Sequence, residues 1–152
     1  MTDDEKETKM LQIIALKMAQ ELVWEESLSL DKSQPKEELL YLTKEALRSL
    51  GAKMYPALPD GFWDADEETQ AIMDKAYEKR LDELTEQDKK ALTIKGELIT
   101  FWAPKLVRTV EVHPDLEQWS AEDMFSRIIN ALIEKREELE GEIYNADIHN
   151  ND

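Results

Sequence analysis

The chain has 152 residues, 41% hydrophobic and 36% charged, with 35 acidic against 19 basic side chains and a net charge of −16. That balance disfavours DNA, RNA and anionic membranes as direct ligands, because phosphate affinity needs lysine and arginine in excess. With no cysteine, a disulfide framework, a thiolate metal site and a cysteine nucleophile are all excluded.

The opening MTDDEKETKM is acidic and lacks the basic start and apolar core of a signal peptide. The longest uncharged runs, Met10–Leu16 and Leu98–Pro104, are seven residues each, far short of a membrane span. The length fits a single domain with its own core, expected to be soluble and cytoplasmic. Of the segments 1–31, 32–59, 60–90, 91–119 and 120–152, only 32–59 carries a basic excess.

Thr2-Asp3-Asp4-Glu5 has the spacing of a capping box and predicts a first helix to about Glu26. Leu11, Ile14, Ala15, Met18 and Leu22 form its expected face, while Ile13, Leu16 and Val23 fall off it. Trp24 also lies off the face. Central packing is the expectation for it, and contact with another chain, giving a homodimer through the first helix, is the alternative.

Ser33-Gln34-Pro35 predicts a second helix, with serine as cap and proline in the first turn. Leu39, Leu40, Thr43, Ala46, Leu47 and Leu50 line its face, and Gly51 stands where a left-handed C-cap belongs. A long acidic and aromatic loop follows to Asp66, with Pro59-Asp60-Gly61 as its turn signal. Asp64 or Asp66 caps a third helix, whose narrow stripe of Met73, Tyr77, Leu81 and Leu84 marks it as the most peripheral.

Thr85 opens the most continuously apolar stretch, Glu86 to Thr109, expected to be the buried hub of the fold. Ala91, Ile94, Leu98, Phe101 and Trp102 make its apolar face, and Leu92, Ile99, Leu106 and Val110 extend that face sideways into a stripe wider than a surface helix needs. Gly96, Thr100 and Ala103 leave a smooth strip on another side, where a neighbouring backbone can approach. Pro104 predicts a kink near Ala103, since proline lacks a donor and strikes the preceding turn. Leu106 to Val112 reads as helix, with an extended alternative because it is rich in β-branched residues. Ser120 caps a last helix with Phe125, Ile128, Ile129, Leu132, Leu139 and Ile143 inward. The expected architecture is all-α: a single-domain bundle of about five helices over residues 1–144, with a kinked central helix, one long acidic and aromatic loop, and a flexible polar tail at 145–152.

Groups for chemistry are few. His113 reads as a loop histidine and His149 falls in the tail, and no glycine-rich phosphate loop or Glu-x-x-His pair occurs. All-α nucleotide pyrophosphohydrolases hold magnesium on inward Glu-x-x-Glu and Glu-x-x-Asp pairs. Glu83-x-x-Glu86 and Glu137-x-x-Glu140 have that spacing, but one straddles a helix junction and the other lies on an outward, charge-rich face. The loop Asp60 to Asp66 lacks the oxygen order of a calcium-binding loop. No catalytic residue, metal ligand or cofactor is assigned.

What remains is recognition by surface. Phe62, Trp63, Asp64, Asp66, Glu67, Glu68 and Trp119 are the candidate partner-binding residues: aromatics rimmed by carboxylates, suited to a protein with a basic rim and an apolar pocket. End-capping of the bundle is the structural reading of the same aromatics. The expected function is a non-enzymatic protein–protein interaction module, an adaptor, inhibitor or regulator that presents an acidic surface to a basic protein. A DNA-mimic inhibitor and a magnesium-dependent all-α pyrophosphohydrolase are the alternatives.

Overall fold

The computed structural model describes residues 1–54, 61–62 and 64–150. It contains helices α1 (Asp3–Ser29), α2 (Lys36–Ala52), α3 (Glu67–Glu83), α4 (Glu86–Glu97), α5 (Ala103–Glu111) and α6 (Ala121–Asn150). A π-helical turn over Leu98–Trp102 joins α4 to α5, and a short 3-10 turn over Leu116–Gln118 precedes α6. Because α4, the π turn and α5 run on without a loop, the described residues form five rods. Among the described residues there is no strand, and the fold is an all-α bundle. No helix of the described residues is long and apolar enough to cross a membrane.

Local capping chemistry sets most of the helix starts. Thr2 accepts from the Glu5 amide at 3.2 Å, Thr85 from Asp88 at 3.1 Å and Ser120 from Asp123 at 3.1 Å, each satisfying a donor that the first turn leaves free. The second start differs from expectation. Ser33 donates its hydroxyl to Asp31 at 2.7 Å, so it closes a turn with the upstream aspartate and does not cap. Pro35 takes the cap position instead, its carbonyl accepting from Glu38 and Leu39.

The core unites α1, α2, the bent rod and α6. Leu16, Val23, Leu39, Leu40, Leu47, Ile99, Val107, Met124, Phe125, Ile128 and Leu132 are buried in it. Thr43 is the buried polar residue of α2, and its hydroxyl donates to the Leu39 carbonyl at 2.8 Å. On α1 the buried line is Ala15, Leu16, Ala19 and Val23, which rotates the helix away from the expected face and turns Ile14 outward. α6 is the main neighbour of α1, and the alanines on the buried line let helices approach closely.

The bent rod touches α1, α2 and α6, as a hub should, but a different side of it is buried. Gly96, Ile99, Ala103, Pro104, Val107 and Val110 face inward, whereas Phe101 is 62% exposed. The cause is a close crossing of α2. A Cβ placed on Gly51 would lie 2.6 Å from the Thr100 nitrogen and 2.8 Å from the Gly96 carbonyl oxygen. Two backbones this near can meet only along the small-residue strip, and that contact turns the larger side chains of the opposite face outward.

Gly51 is therefore not a left-handed cap. It lies within α2 and is required for the approach, while the positive φ belongs to Gly61, at 80°. The expected kink at Pro104 takes the form of the π turn. The Ala103 amide donates to the Leu98 carbonyl five residues back, a wider turn that accommodates the proline ring and its missing donor. Leu106 onward stays helical to Glu111.

α3 is peripheral as expected. Met73, Tyr77 and Leu84 are half-buried, Ala76 is exposed, and the Leu81 side chain lies outside the described residues. The last helix outruns the expected boundary at 144. It continues to Asn150, and Asp147 pairs with Lys6 at 2.9 Å beside a Lys9–Glu142 pair.

Candidate interaction surfaces

The candidate acidic surface starts at the entry to α3. Gly61 turns the chain with its positive φ; the Asp64 amide then donates to the Gly61 carbonyl at 3.2 Å and the Ala65 amide to the Phe62 carbonyl at 3.4 Å. The Gln70 side chain donates to the Phe62 carbonyl at 2.8 Å, fastening the loop to the first turn of α3. Asp66 is the cap, accepting from the Thr69 amide at 2.7 Å. Asp64, Asp66, Glu67 and Glu68 are all exposed, and Phe62 is half-buried beside them. Trp63, with Pro59 and Asp60, lies outside the described residues.

The charge balance of this surface follows from where the basic residues go. Lys6, Lys9, Lys32, Lys44, Arg48, Lys89, Arg108, Lys135 and Arg136 pair with carboxylates of their own chain. Among the described residues no lysine or arginine pairs with Asp64, Asp66, Glu67 or Glu68. With 35 acids to 19 bases, each such pair also uses a carboxylate, and the excess of acids leaves carboxylates unopposed.

Hydrogen bonds from the Thr69 side chain and backbone hold the Asp66 carboxyl below its ordinary value of 3.8. A carboxylate with a depressed folded value stabilises the fold above 3.8 and loses that contribution as pH falls through the lower value. The first turn of α3 is therefore expected to loosen in acid. Amide hydrogen exchange at Thr69 should accelerate, relative to Asp88 at the Thr85 cap, as pH drops below 3.8; equal protection ratios across that range would remove Asp66 from this role.

Trp119 stands elsewhere and is already occupied. It is half-buried against the core, its ring 4.6 Å from that of His113 and 5.0 Å from the Arg127 guanidinium. Its carbonyl accepts from Lys36 at 2.8 Å, and the same ammonium reaches the Leu116 carbonyl. This is the end-capping arrangement, in which the indole closes the bundle between α2 and α6. His113 accepts from the Asp115 amide at 3.1 Å and belongs to that corner.

The carboxylate pairs weighed for magnesium do not converge. Glu83, Glu86, Glu137 and Glu140 are all exposed, and among the described residues no group of three or more His, Asp or Glu is placed to hold a metal. Arg136 sits 3.5 Å from Glu140, which further neutralises that pair.

A second surface was only partly legible. Trp24, expected to pack centrally, is 55% exposed on α1, in line with Met10 at 51%, Ile14 at 44% and Leu28 at 64%. Trp24 borders a groove of about 380 Å³ whose walls are Lys17, Gln20, Glu21, Ile129 and Arg136. Solvent-facing large apolar side chains in a row are the usual mark of a contact surface. The off-face position of Trp24 was the available signal, and a 3.5-residue count from Met10 would have found the rest.

Fold and surface together define an acidic helical bundle with two exposed faces of opposite character, one anionic and one apolar. Comparisons with protein families, with curated proteins and with solved structures find no match to this chain.

Proposed function

We propose that this protein is a non-enzymatic interaction module, an adaptor, inhibitor or regulator working in the cytoplasm, that presents its acidic surface to a basic protein. The observation that carries the reading is the unopposed run of Asp64 and Asp66 on a loop fastened to α3 and Glu67 and Glu68 in its first turn. A pre-ordered anionic rim attracts a cationic partner at long range and loses little entropy on contact. α3 suits such an arm because, among the described residues, little of it packs against the other helices.

The test is capture from a lysate by wild-type protein and by an Asp64→Asn/Glu67→Gln/Glu68→Gln variant, each at low and at high salt. A basic protein should be retained at low salt, released at high salt, and lost with the variant, since exposed charge pairs are screened within about 10 Å at 0.1 M salt. Retention that ignores both the salt and the substitutions would sink the acidic-surface reading. Asp66 is left intact so that the helix cap survives.

A further inference from the structure

We propose that α1 is a homodimerisation helix: its outward stripe packs antiparallel against the same stripe of a second copy, with Lys17 of each chain meeting Glu21 of the other. Positions 10, 14, 17, 21, 24 and 28 alternate by four and three, the a and d spacing of a coiled-coil seam. They lie on the side of α1 opposite Ala15, Leu16, Ala19 and Val23, which the chain's own core uses. The seam is therefore regular and, among the described residues, turned to solvent, bordered along Lys17, Glu21 and Trp24 by Ile129 and Arg136 of α6.

What names the occupant is the order of residues along it. Reversing the helix about the midpoint of Lys17 and Glu21 exchanges Met10 with Leu28, Ile14 with Trp24, and Lys17 with Glu21. Every layer thus finds its complement in an identical chain related by a two-fold axis, the arrangement of an isologous dimer. The central layer forms one lysine–glutamate pair twice, between side chains that are exposed and make no ion pair within their own chain among the described residues. Indole meets isoleucine on either side, and methionine meets leucine at the ends, over about 27 Å of helix at 1.5 Å per residue.

Charge also selects the direction. A parallel pairing would set Lys17 on Lys17 and Glu21 on Glu21, two repulsions where the antiparallel pairing has two attractions. Beside the axis the self-opposed residues are Met18 and Gln20, which carry no charge. At −16 per chain, two copies repel over most of their surfaces. This balanced stripe lets them approach without opposing acid to acid.

Equilibrium sedimentation of the full chain at micromolar concentration tests the proposal. Wild type should sediment at twice its 17.7 kDa chain mass. Glu21→Lys and Lys17→Glu should each weaken self-association by roughly a hundredfold, because two attractions are lost and two repulsions gained, and each of these four changes is worth a factor of about three. An equimolar mixture of the two variants should regain the dimer, and so should the swapped Lys17→Glu/Glu21→Lys chain, which restores the antiparallel pairs but not parallel ones. All of these positions are solvent-facing, and unchanged circular dichroism confirms the fold. A monomeric wild type, a dimer indifferent to either reversal, or a mixture that stays monomeric would each overturn the proposal. Dimerisation over an apolar seam should survive the high salt that releases a basic partner, so the two readings fail separately.

Discussion

Replacing Gly51 with alanine is expected to destabilise the protein by about 2–4 kcal/mol, at the upper end for an added methyl group in a packed interior. The new Cβ would lie 2.1 Å from the Thr100 hydroxyl oxygen, 2.6 Å from the Thr100 nitrogen and 2.8 Å from the Gly96 carbonyl oxygen. Side chains can rotate away, but the second and third of these atoms are backbone. α2 and the bent rod must therefore separate, and every layer between them loosens. Helix propensity acts in the opposite direction, since alanine inside a helix is favoured over glycine by roughly 1 kcal/mol, and packing wins.

Among the described residues the buried Thr100 hydroxyl oxygen has no hydrogen-bond partner, so Thr100→Ala alone should cost little. Combined with Gly51→Ala it should restore only part of the loss, because the backbone clash remains. Urea unfolding of the two single variants and the double variant measures this coupling. A Gly51→Ala chain as stable as wild type would mean that the helices do not cross at this distance.

The second large effect is expected at Phe125, which is 2% exposed and the bulkiest side chain buried in the core. Truncation to alanine should cost about 3–5 kcal/mol, the sum of lost transfer free energy and the cavity left behind. For a chain of this size that lowers the thermal midpoint by on the order of 10 °C. Trp24→Ala is the control. Its indole is more than half exposed, so the same deletion of aromatic surface should change the stability of the monomer only slightly. Measured at a concentration where the chain is monomeric, comparable losses at the two positions would contradict the assignment of Trp24 to a contact surface.

Much of the fold was legible because it depends on neighbours in sequence. The caps Thr2, Thr85 and Ser120 act within one turn, and so does Asp66. Ser33 shows the limit of such reasoning, since Asp31, two residues upstream, competes successfully for its hydroxyl. The peripheral standing of α3 followed from its narrow stripe, and the disturbance at Pro104 from proline's missing donor. Its resolution as a π turn did not, because a kink and a widened turn relieve the same clash.

The surfaces were harder to read. Asp64, Asp66, Glu67 and Glu68 stand out as an acidic run in any reading, and exposure was a safe expectation for them. Trp119 was ambiguous, as an indole before a helix serves equally to cap a bundle or to anchor a partner. Its neighbours His113, Arg127 and Lys36 decide for capping, and they come from three separate parts of the chain.

By itself the sequence determined that the protein is an acidic all-α bundle, where most of its helices begin, and which stretch runs through the middle. These follow from composition, capping and periodicity, all properties of residues within a few turns of one another. Which side of each rod faces inward was decided only in three dimensions. α1 and the central rod each carry apolar residues on two sides, so their periodicity allows more than one burial. The close crossing at Gly51, Gly96 and Thr100 settles the choice for the rod by admitting the strip with the least bulk. On α1 the buried line of Ala15, Leu16, Ala19 and Val23 leaves Met10, Ile14, Trp24 and Leu28 turned to solvent.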